Sequence, residues 1–243
     1  MWIVAPYQSV TFFSLKPAGA TSSGGKTLLI PTPFAIKMAL LNAAIHLYSR
    51  AEGERLFPFL RDLDLSLEPP ENILVMKSFS KIRRILKDKN NLEKAQKARE
   101  KKEYPLQSTI AYREYVNYQG GILRLACQLT DQNPLLAVLP ELLLQINYLG
   151  KRGGFLQITE PPHISAELPS GHFIHLTATV LQDFSIDGTL QMLDDCGSSL
   201  TFAKADISNE TKIVLHKDRI LRHIVLPYRP IRTSHNYSWY QHI

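Results

Sequence analysis

A chain of 243 residues that is 44% hydrophobic and 21% charged can bury a substantial core, which excludes global disorder and leaves one large domain or one domain carrying an insertion. The net charge of +6 is unevenly spread, because residues 77–103 hold eleven Lys and Arg against four acids, a local +7 that leaves the rest of the chain at −1. Charge gathered in one place suits a polyanionic partner better than it suits general solubility.

In chain order, Trp2 to Leu15 is rich in β-branched and aromatic residues and predicts a first strand. Residues 16–33 read as a loop carrying Lys16 and Lys26. Thr32-Pro33 then opens a helix with a hydroxyl N-cap and proline at the first helical position. That helix, Phe34 to about Arg50, is apolar nearly all round and so is expected between other elements, with Gly53 as its terminator and His46 as a core residue. Asn72 to Phe79 predicts a strand, and the basic stretch follows it directly. Leu106 to Tyr118 predicts the next strand, Gly120-Gly121 a turn, and Ile122 to Leu129 a strand containing Arg124. The basic stretch is therefore an excursion between two strands, and most of Asn90 to Glu103 reads as a charged helix or a loop.

Asn133-Pro134 caps a second helical region, Leu135 to Leu149, interrupted at Pro140. Phe155 to Thr159 predicts a short strand. Phe173 to Leu181, Leu200 to Ala203, Lys212 to Leu215 and Arg222 to Leu226 predict further strands, with turns at Asp187-Gly188 and Cys196-Gly197. The order implies an α+β fold on an antiparallel sheet. Cys127 and Cys196 lack CxxC partners, which argues against a zinc knuckle or disulfide framework and fits a reducing cytoplasm. The first residues lack the pattern of a signal peptide, and the longest apolar stretch, Leu135 to Ile146, is broken and too short to span a bilayer. The sequence reads as soluble, with no membrane partner.

The loop from Ala20 to Thr27 imitates a phosphate-binding loop of nucleotide hydrolases. It departs from one at its first glycine, and Leu28-Leu-Ile-Pro-Thr-Pro33 follows where a helix should open. A loop presenting Lys16 and Lys26 to a partner is the better reading. Gly150-Lys151-Arg152-Gly153-Gly154 has two open readings: a close backbone approach to phosphate with a point charge and a planar fork, or a helix C-cap with basic residues on the dipole. Lys81, Arg83, Arg84 and Lys87 have no compensating acid before Asp88 and lie among Phe79, Tyr104, Tyr112, Tyr115 and Tyr118. Charge interleaved with aromatics suits a single strand of RNA, with Arg113 beside Tyr112 as a further contact. The basic residues of Lys212 to His235 either line the same groove or protect an edge strand. His172 and His175 point to opposite faces of a strand, so no shared metal is expected, and no cofactor motif stands out.

The block Leu28-Leu-Ile-Pro-Thr-Pro-Phe-Ala-Ile-Lys37-Met-Ala-Leu-Leu-Asn-Ala-Ala-Ile45, a proline-rich approach to an apolar helix, resembles the Cas-five family of RAMP-superfamily subunits in type I CRISPR effectors (Cascade). Gly150 to Phe155 and the late Leu226-Pro-Tyr-Arg-Pro230 are similar to the family as well. The resemblance implies a ferredoxin-like, RRM-related RAMP domain over residues 1–243, with an inserted basic thumb at 77–105. It implies a non-catalytic, cytoplasmic subunit that caps the 5′ handle of the guide RNA (crRNA) and joins the large Cascade subunit to the backbone RAMP subunit, meeting target DNA indirectly. The RNA-binding set expected on that reading is Lys16, Lys26, Lys37, Lys81, Arg83, Arg84, Lys87, Tyr112, Arg113, Lys151, Arg152, Gly153 and Gly154. The alternative is a metal-independent endoribonuclease that processes precursor RNA. Some family members cut with a Tyr, Lys and His set. Here Tyr48 is present, but no Lys-His pair occurs early in the chain, and His216-Lys217 has the reversed order.

Overall fold

The computed structural model describes residues 1–20, 25–85, 92–101, 106–150, 153–177, 187–206 and 211–243. Trp2–Ser9 forms β1, whose two faces are both buried. Ile3, Ala5 and Tyr7 enter the main core, while Trp2 and Val4 pack with Ala126 against Leu168 and Phe173. β1 pairs with Ile122–Gln128 (β5), which pairs on its other side with Asp64–Glu68 (β2), every pairing antiparallel. Leu156–Ile158 (β6) and His163–Ser165 (β7) add to β1, and Ile174–His175 (β8) adds to β2, which gives the central order β6-β1-β5-β2-β8.

Helices join the strands of this sheet. Between β1 and β2 run α1 (Pro33–Leu47) and α2 (Arg50–Arg61), between β2 and β5 lies α3 (Leu92–Glu100), and between β5 and β6 run a 3-10 turn (Pro134–Ala137) and α4 (Leu139–Leu144). Thr32 caps α1 as its sequence predicts, its hydroxyl accepting from the Ala35 N–H at 3.2 Å, an interaction worth about 1 kcal/mol. α1 buries Ile36, Leu40, Leu41 and Ala44 among α2, α4 and a strand from the C-terminal part, so the all-round apolar helix is an internal one.

The helical boundaries differ from expectation at Gly53. α1 stops at Leu47, and Ser49 caps a second helix by accepting from the Glu52 N–H at 3.1 Å. Gly53 lies inside that helix rather than terminating the first. A Cβ there would stand 2.5 Å from Cγ1 of Ile45, so the glycine serves close helix crossing. His46 is exposed, not a core residue. The second helical region also ends early, at Leu144.

Asn72–Ile85 (β3) and Leu106–Asn117 (β4) form a long antiparallel hairpin, with the helix α3 (Leu92–Glu100) between them. The hairpin lies between β2 and β5 in the chain and belongs to a second sheet, whose order is β11-β12-β3-β4, where β11 is Tyr228–Thr233 and β12 is Tyr237–His242. Thr189–Cys196 (β9) and Arg219–Leu226 (β10) make a separate antiparallel pair, and β9 packs on α1. Leu200 to Ala203, expected as a strand, instead enters a short helix, α5 (Phe202–Ala205). Lys212 to Leu215 forms no strand, because the Asp218 carboxylate and the Leu215–Arg219 bridge hold this stretch as a tight turn. Within the Phe173 to Leu181 strand, Ile174–His175 forms β8 among the described residues, and those from 178 onward lie outside the described set.

Three buried tyrosines tie these parts together. Tyr7 donates to the Leu143 carbonyl at 2.8 Å, Tyr118 to that of Leu29 at 2.9 Å, and Tyr228 to that of Pro70 at 2.7 Å. Each hydroxyl is thereby satisfied in the core, where an unpaired one would be destabilising.

Candidate nucleic-acid interface

The β3–β4 hairpin begins in the core and leaves it. Ile73, Val75 and Val116 at its base are buried, and strand alternation carries the same face outward. On that face Lys77 stands opposite Glu114, Phe79 opposite Tyr112 and Lys81 opposite Ile110, with Arg83 next along β3. Phe79 is 67% exposed and Ile110 75%, and Lys81 and Arg83 are exposed too. The Phe79 and Tyr112 rings meet edge to face with centroids 5.6 Å apart. The result is an open face alternating aromatic and cationic side chains, which can pair phosphates and stack bases.

Glu114 organises the base of this face. Its backbone N–H donates to the Gly25 carbonyl at 2.7 Å, and its carboxylate accepts from the Thr27 N–H at 3.1 Å and from the Tyr112 hydroxyl at 2.8 Å. Burial and that bond to Glu114 push the Tyr112 hydroxyl up to about 12, so it stays a neutral donor. Gly25 is a glycine because a Cβ there would lie 2.1 Å from the Tyr112 carbonyl oxygen. Exposed Lys26 is thus held beside the hairpin. Thr27 is occupied internally: its hydroxyl accepts from the Leu15 N–H at 2.9 Å and lies 3.0 Å from the Leu28 carbonyl. The resemblance to a nucleotide loop ends there, since the next helix begins only at Pro33.

Half-buried Lys16 follows Leu15, whose carbonyl accepts from the Leu28 N–H at 2.7 Å, so Lys16 and Lys26 flank one pair of adjoining segments. The glycine-rich loop reaches the same region through Thr11. Its hydroxyl donates to the Gly153 carbonyl at 2.7 Å and accepts from the Phe155 N–H at 3.1 Å, while Phe13 bridges to Val116 of β4. Gly153 has a φ of 107°, and Gly154 lines a small apolar crevice with Leu15 and Tyr118. Lys87, Lys151 and Arg152 lie outside the described residues, as does the side chain of Arg84. Arg113 lies on the opposite face of the hairpin from Tyr112, level with Ser78.

Lys37 corrects the expected set. It is 2% exposed, and its ammonium donates to Asp195 at 2.8 Å and to the Arg61 carbonyl at 2.7 Å. Arg222 takes the other oxygen of Asp195 at 2.8 Å, and Arg219 pairs with buried Asp194 at 2.6 Å. Lys37, Arg219 and Arg222 therefore fasten α1 to the β9–β10 pair and do not line a groove. The sequence conceals this because Lys37 sits in an apolar helix without a neighbouring acid. Its partner is 158 residues away.

A second concave site went unread in the sequence. A cleft of about 360 Å³ is lined by Glu68, Glu71, Arg124, His172 and His242, among others. Arg124 pairs with Glu68, whose other oxygen accepts from the His172 N–H at 3.0 Å. The two imidazoles lie 4.2 Å apart between centroids, and burial, then the neighbouring His172, lowers the His242 pKa. His175 turns away to Ser66 at 2.8 Å, as strand alternation requires. No local pattern links residues 68, 124, 172 and 242. Among the described residues no group of three or more His, Cys, Asp and Glu is placed to hold a metal, and no helix is long and apolar enough to cross a membrane.

No family model matches the chain. Among curated proteins it is similar to the CRISPR-associated protein Cas5 of Archaeoglobus fulgidus, with 28% identity over 169 residues, 66% of this chain and 67% of the relative. Among solved structures it aligns with a CRISPR protein from Archaeoglobus fulgidus at 11% identity and a TM-score of 0.44, covering 100% of this chain and 92% of that one. It also aligns with a chain of a CRISPR RNA-guided surveillance complex at 13% identity and a TM-score of 0.49, covering 93% and 90% respectively.

Proposed function

We propose that this chain, which resembles the Cas5 family, is a non-catalytic subunit of a CRISPR Cascade effector that grips the 5′ handle of the guide RNA with its β3–β4 hairpin. The observation that carries the reading is the open hairpin face on which Lys81 and Arg83 alternate with Phe79 and Tyr112 beside Lys26. Phosphates pair with the cations while bases stack on exposed Phe79, a division of labour suited to an unpaired strand. Residues 77–105 then act as the inserted thumb of a single RAMP-type domain. Four strands in the order β6-β1-β5-β2, with helical passages after the first and third in chain order, support a ferredoxin-like, RRM-related domain, and the hairpin interrupts it between the second and third.

In this role the subunit sits in the cytoplasm, joins the large subunit to the backbone RAMP subunit, and meets target DNA through the guide. Tyr48, the tyrosine available for a cutting mechanism, donates to Glu141 at 2.6 Å, and that bond first, then burial, pushes its hydroxyl up to about 12. A tyrosine so held is a poor proton acceptor, which supports the non-catalytic reading.

Fluorescence anisotropy of the full chain with repeat-derived RNA, measured against salt, tests it. Replacing Lys81 and Arg83 by Ala is expected to lower the slope of log K against log[salt] by about 1.4, near 0.7 per phosphate contact on a single strand. An unchanged slope reduces the hairpin to a solvated ribbon. Specific cleavage of the RNA without added metal would replace this reading by the endoribonuclease.

A further inference from the structure

The hairpin has a second face, and the four-stranded sheet extends it. Because Ile73, Val75 and Val116 point into the core, their alternates Met76 and Tyr115 point out. Register continues this outer face across the sheet: Tyr237 of β12, Met76 of β3 and Tyr115 of β4 stand in one row. In the adjoining row Trp239 stands beside Leu74 and, on β11, opposite Arg232. Arg113 lies two residues from Tyr115 on the same side. Tyr115, Tyr237 and Trp239 are half-exposed, while Met76 and Arg232 are exposed.

We infer that this outer face is a second surface for single-stranded nucleic acid, with bases stacking on Trp239, Tyr237 and Tyr115 and phosphates meeting Arg232 and Arg113. Neighbours in a row are about 5 Å apart and successive outward residues on one strand about 7 Å apart, so Tyr237 and Tyr115 lie about 10 Å apart on either side of Met76, with Trp239 one row away on the same face. The Trp239 indole N–H donates to Asn72 at 3.0 Å, which fixes the ring on the sheet instead of leaving it to swing. The charge on the platform has one sign. Among the described residues, the outward positions of the four paired strands carry arginines and no carboxylate, and acids stand at the margin, where exposed Asp187 lies 4.0 Å from Arg229 and Glu71 meets Gln241.

The surface fits a polyanion better than a protein partner, since an aromatic face whose outward strand positions carry arginines complements bases joined by phosphates. The platform is independent of the proposed handle grip. Phe79, Lys81 and Tyr112 occupy the other side of the same two strands, so a strand gripped there would have to pass around the hairpin edge to reach Trp239.

Intrinsic fluorescence tests the surface directly, because the chain has two tryptophans and Trp2 is 8% exposed in a cluster away from this face. In a Trp2→Phe background, titration with oligouridylate and, separately, oligothymidylate twelve-mers at low salt is expected to quench Trp239. The pair of probes shows whether the 2′-hydroxyl matters. Replacing Tyr115 and Tyr237 by Ala together is expected to raise Kd about 10-fold or more, the loss of one or two stacked bases. Arg232→Ala is expected to weaken binding and flatten its salt dependence, with unchanged far-UV circular dichroism and melting temperature as the folding control. The hairpin variant lacking Lys81 and Arg83 keeps the quench, so failure of the handle reading and failure of this one are distinguishable. A Trp239 signal silent to both oligonucleotides while labelled RNA still binds overturns the inference and assigns the platform to a protein partner. Equal affinity of Arg232→Ala and the Tyr115 and Tyr237 double variant with the parent overturns it as well.

Discussion

Replacing Lys37 by Met separates a buried strut from an RNA contact. The substitution keeps most of the aliphatic stem and removes the ammonium, which bonds to Asp195 at 2.8 Å and to the Arg61 carbonyl at 2.7 Å with only 2% of the residue exposed. Breaking one side of a buried ion pair typically destabilises by about 3–5 kcal/mol, because the remaining charge has lost solvent and partner together. Here Asp195 keeps Arg222 at 2.8 Å on its other oxygen, which places the expected loss at the lower end, about 3 kcal/mol. For a chain of this size that corresponds to a fall in melting temperature of roughly 6–12 °C. Urea unfolding gives the free energy, and RNA titration at several salt concentrations gives the binding slope, which is expected to stay unchanged. A variant as stable as the parent to within about 0.5 kcal/mol, with a salt slope lower by about 0.7, would refute the argument and return Lys37 to the RNA-binding set.

The native His242 pKa is lowered, so the folded state binds fewer protons than the unfolded one and stability rises with pH. Stability is expected to fall as pH drops below about 6.5 and to go on falling until native His242 titrates; His242→Gln should flatten that part of the profile in chemical unfolding, and an unaltered profile would exclude the cleft as its source. Cys127 and Cys196 are buried, and burial pushes both thiols up to about 12, so native protein at pH 8 is expected to resist a thiol reagent that labels both after denaturation. Rapid labelling of the native chain would mean that the core opens. Gly25→Ala is expected to cost about 2–4 kcal/mol, because clearing the Tyr112 carbonyl breaks the Glu114-to-Gly25 backbone bond and the bond from Thr27 to the Glu114 carboxylate. Unchanged urea unfolding would show that the loop does not depend on β4.

Local chemistry was legible where the physical cause is local. The Thr32-Pro33 cap, the hairpin strands around residues 72–79 and 106–118, and the turn at Gly120-Gly121 all follow from neighbours within a few residues, and the structure has them. Gly53 misled because a glycine that permits close packing leaves the same sequence mark as one that ends a helix, and only the position of Ile45 distinguishes them. Leu200 to Ala203 misled because four apolar or small residues suit a strand or a helical turn equally, and nothing local decides between them. β12 was missed for the opposite reason, and β11, at the edge of its sheet, was read only as one of two alternatives. Charged and polar residues mask their alternation, and pairing with β3 supplies the hydrogen bonds that their composition does not advertise.

The candidate site divides along the same line. Lys81 and Arg83 were found because charge density is a property of composition, but the face they share was not, since it depends on register with β4. Strand geometry then does something charge counting could not anticipate. Alternation sends Phe79, Lys81 and Arg83 of β3 to one side of the hairpin and Arg113 and Tyr115 of β4 to the other, so the hairpin presents two surfaces with different neighbours. One meets the Gly25–Thr27 segment through Glu114, and the other continues across β3 into Trp239 and Tyr237. A helix of the same composition would have spread its cations around its circumference. A hairpin anchored in a sheet divides them, which is why substitutions on its two faces should affect binding independently.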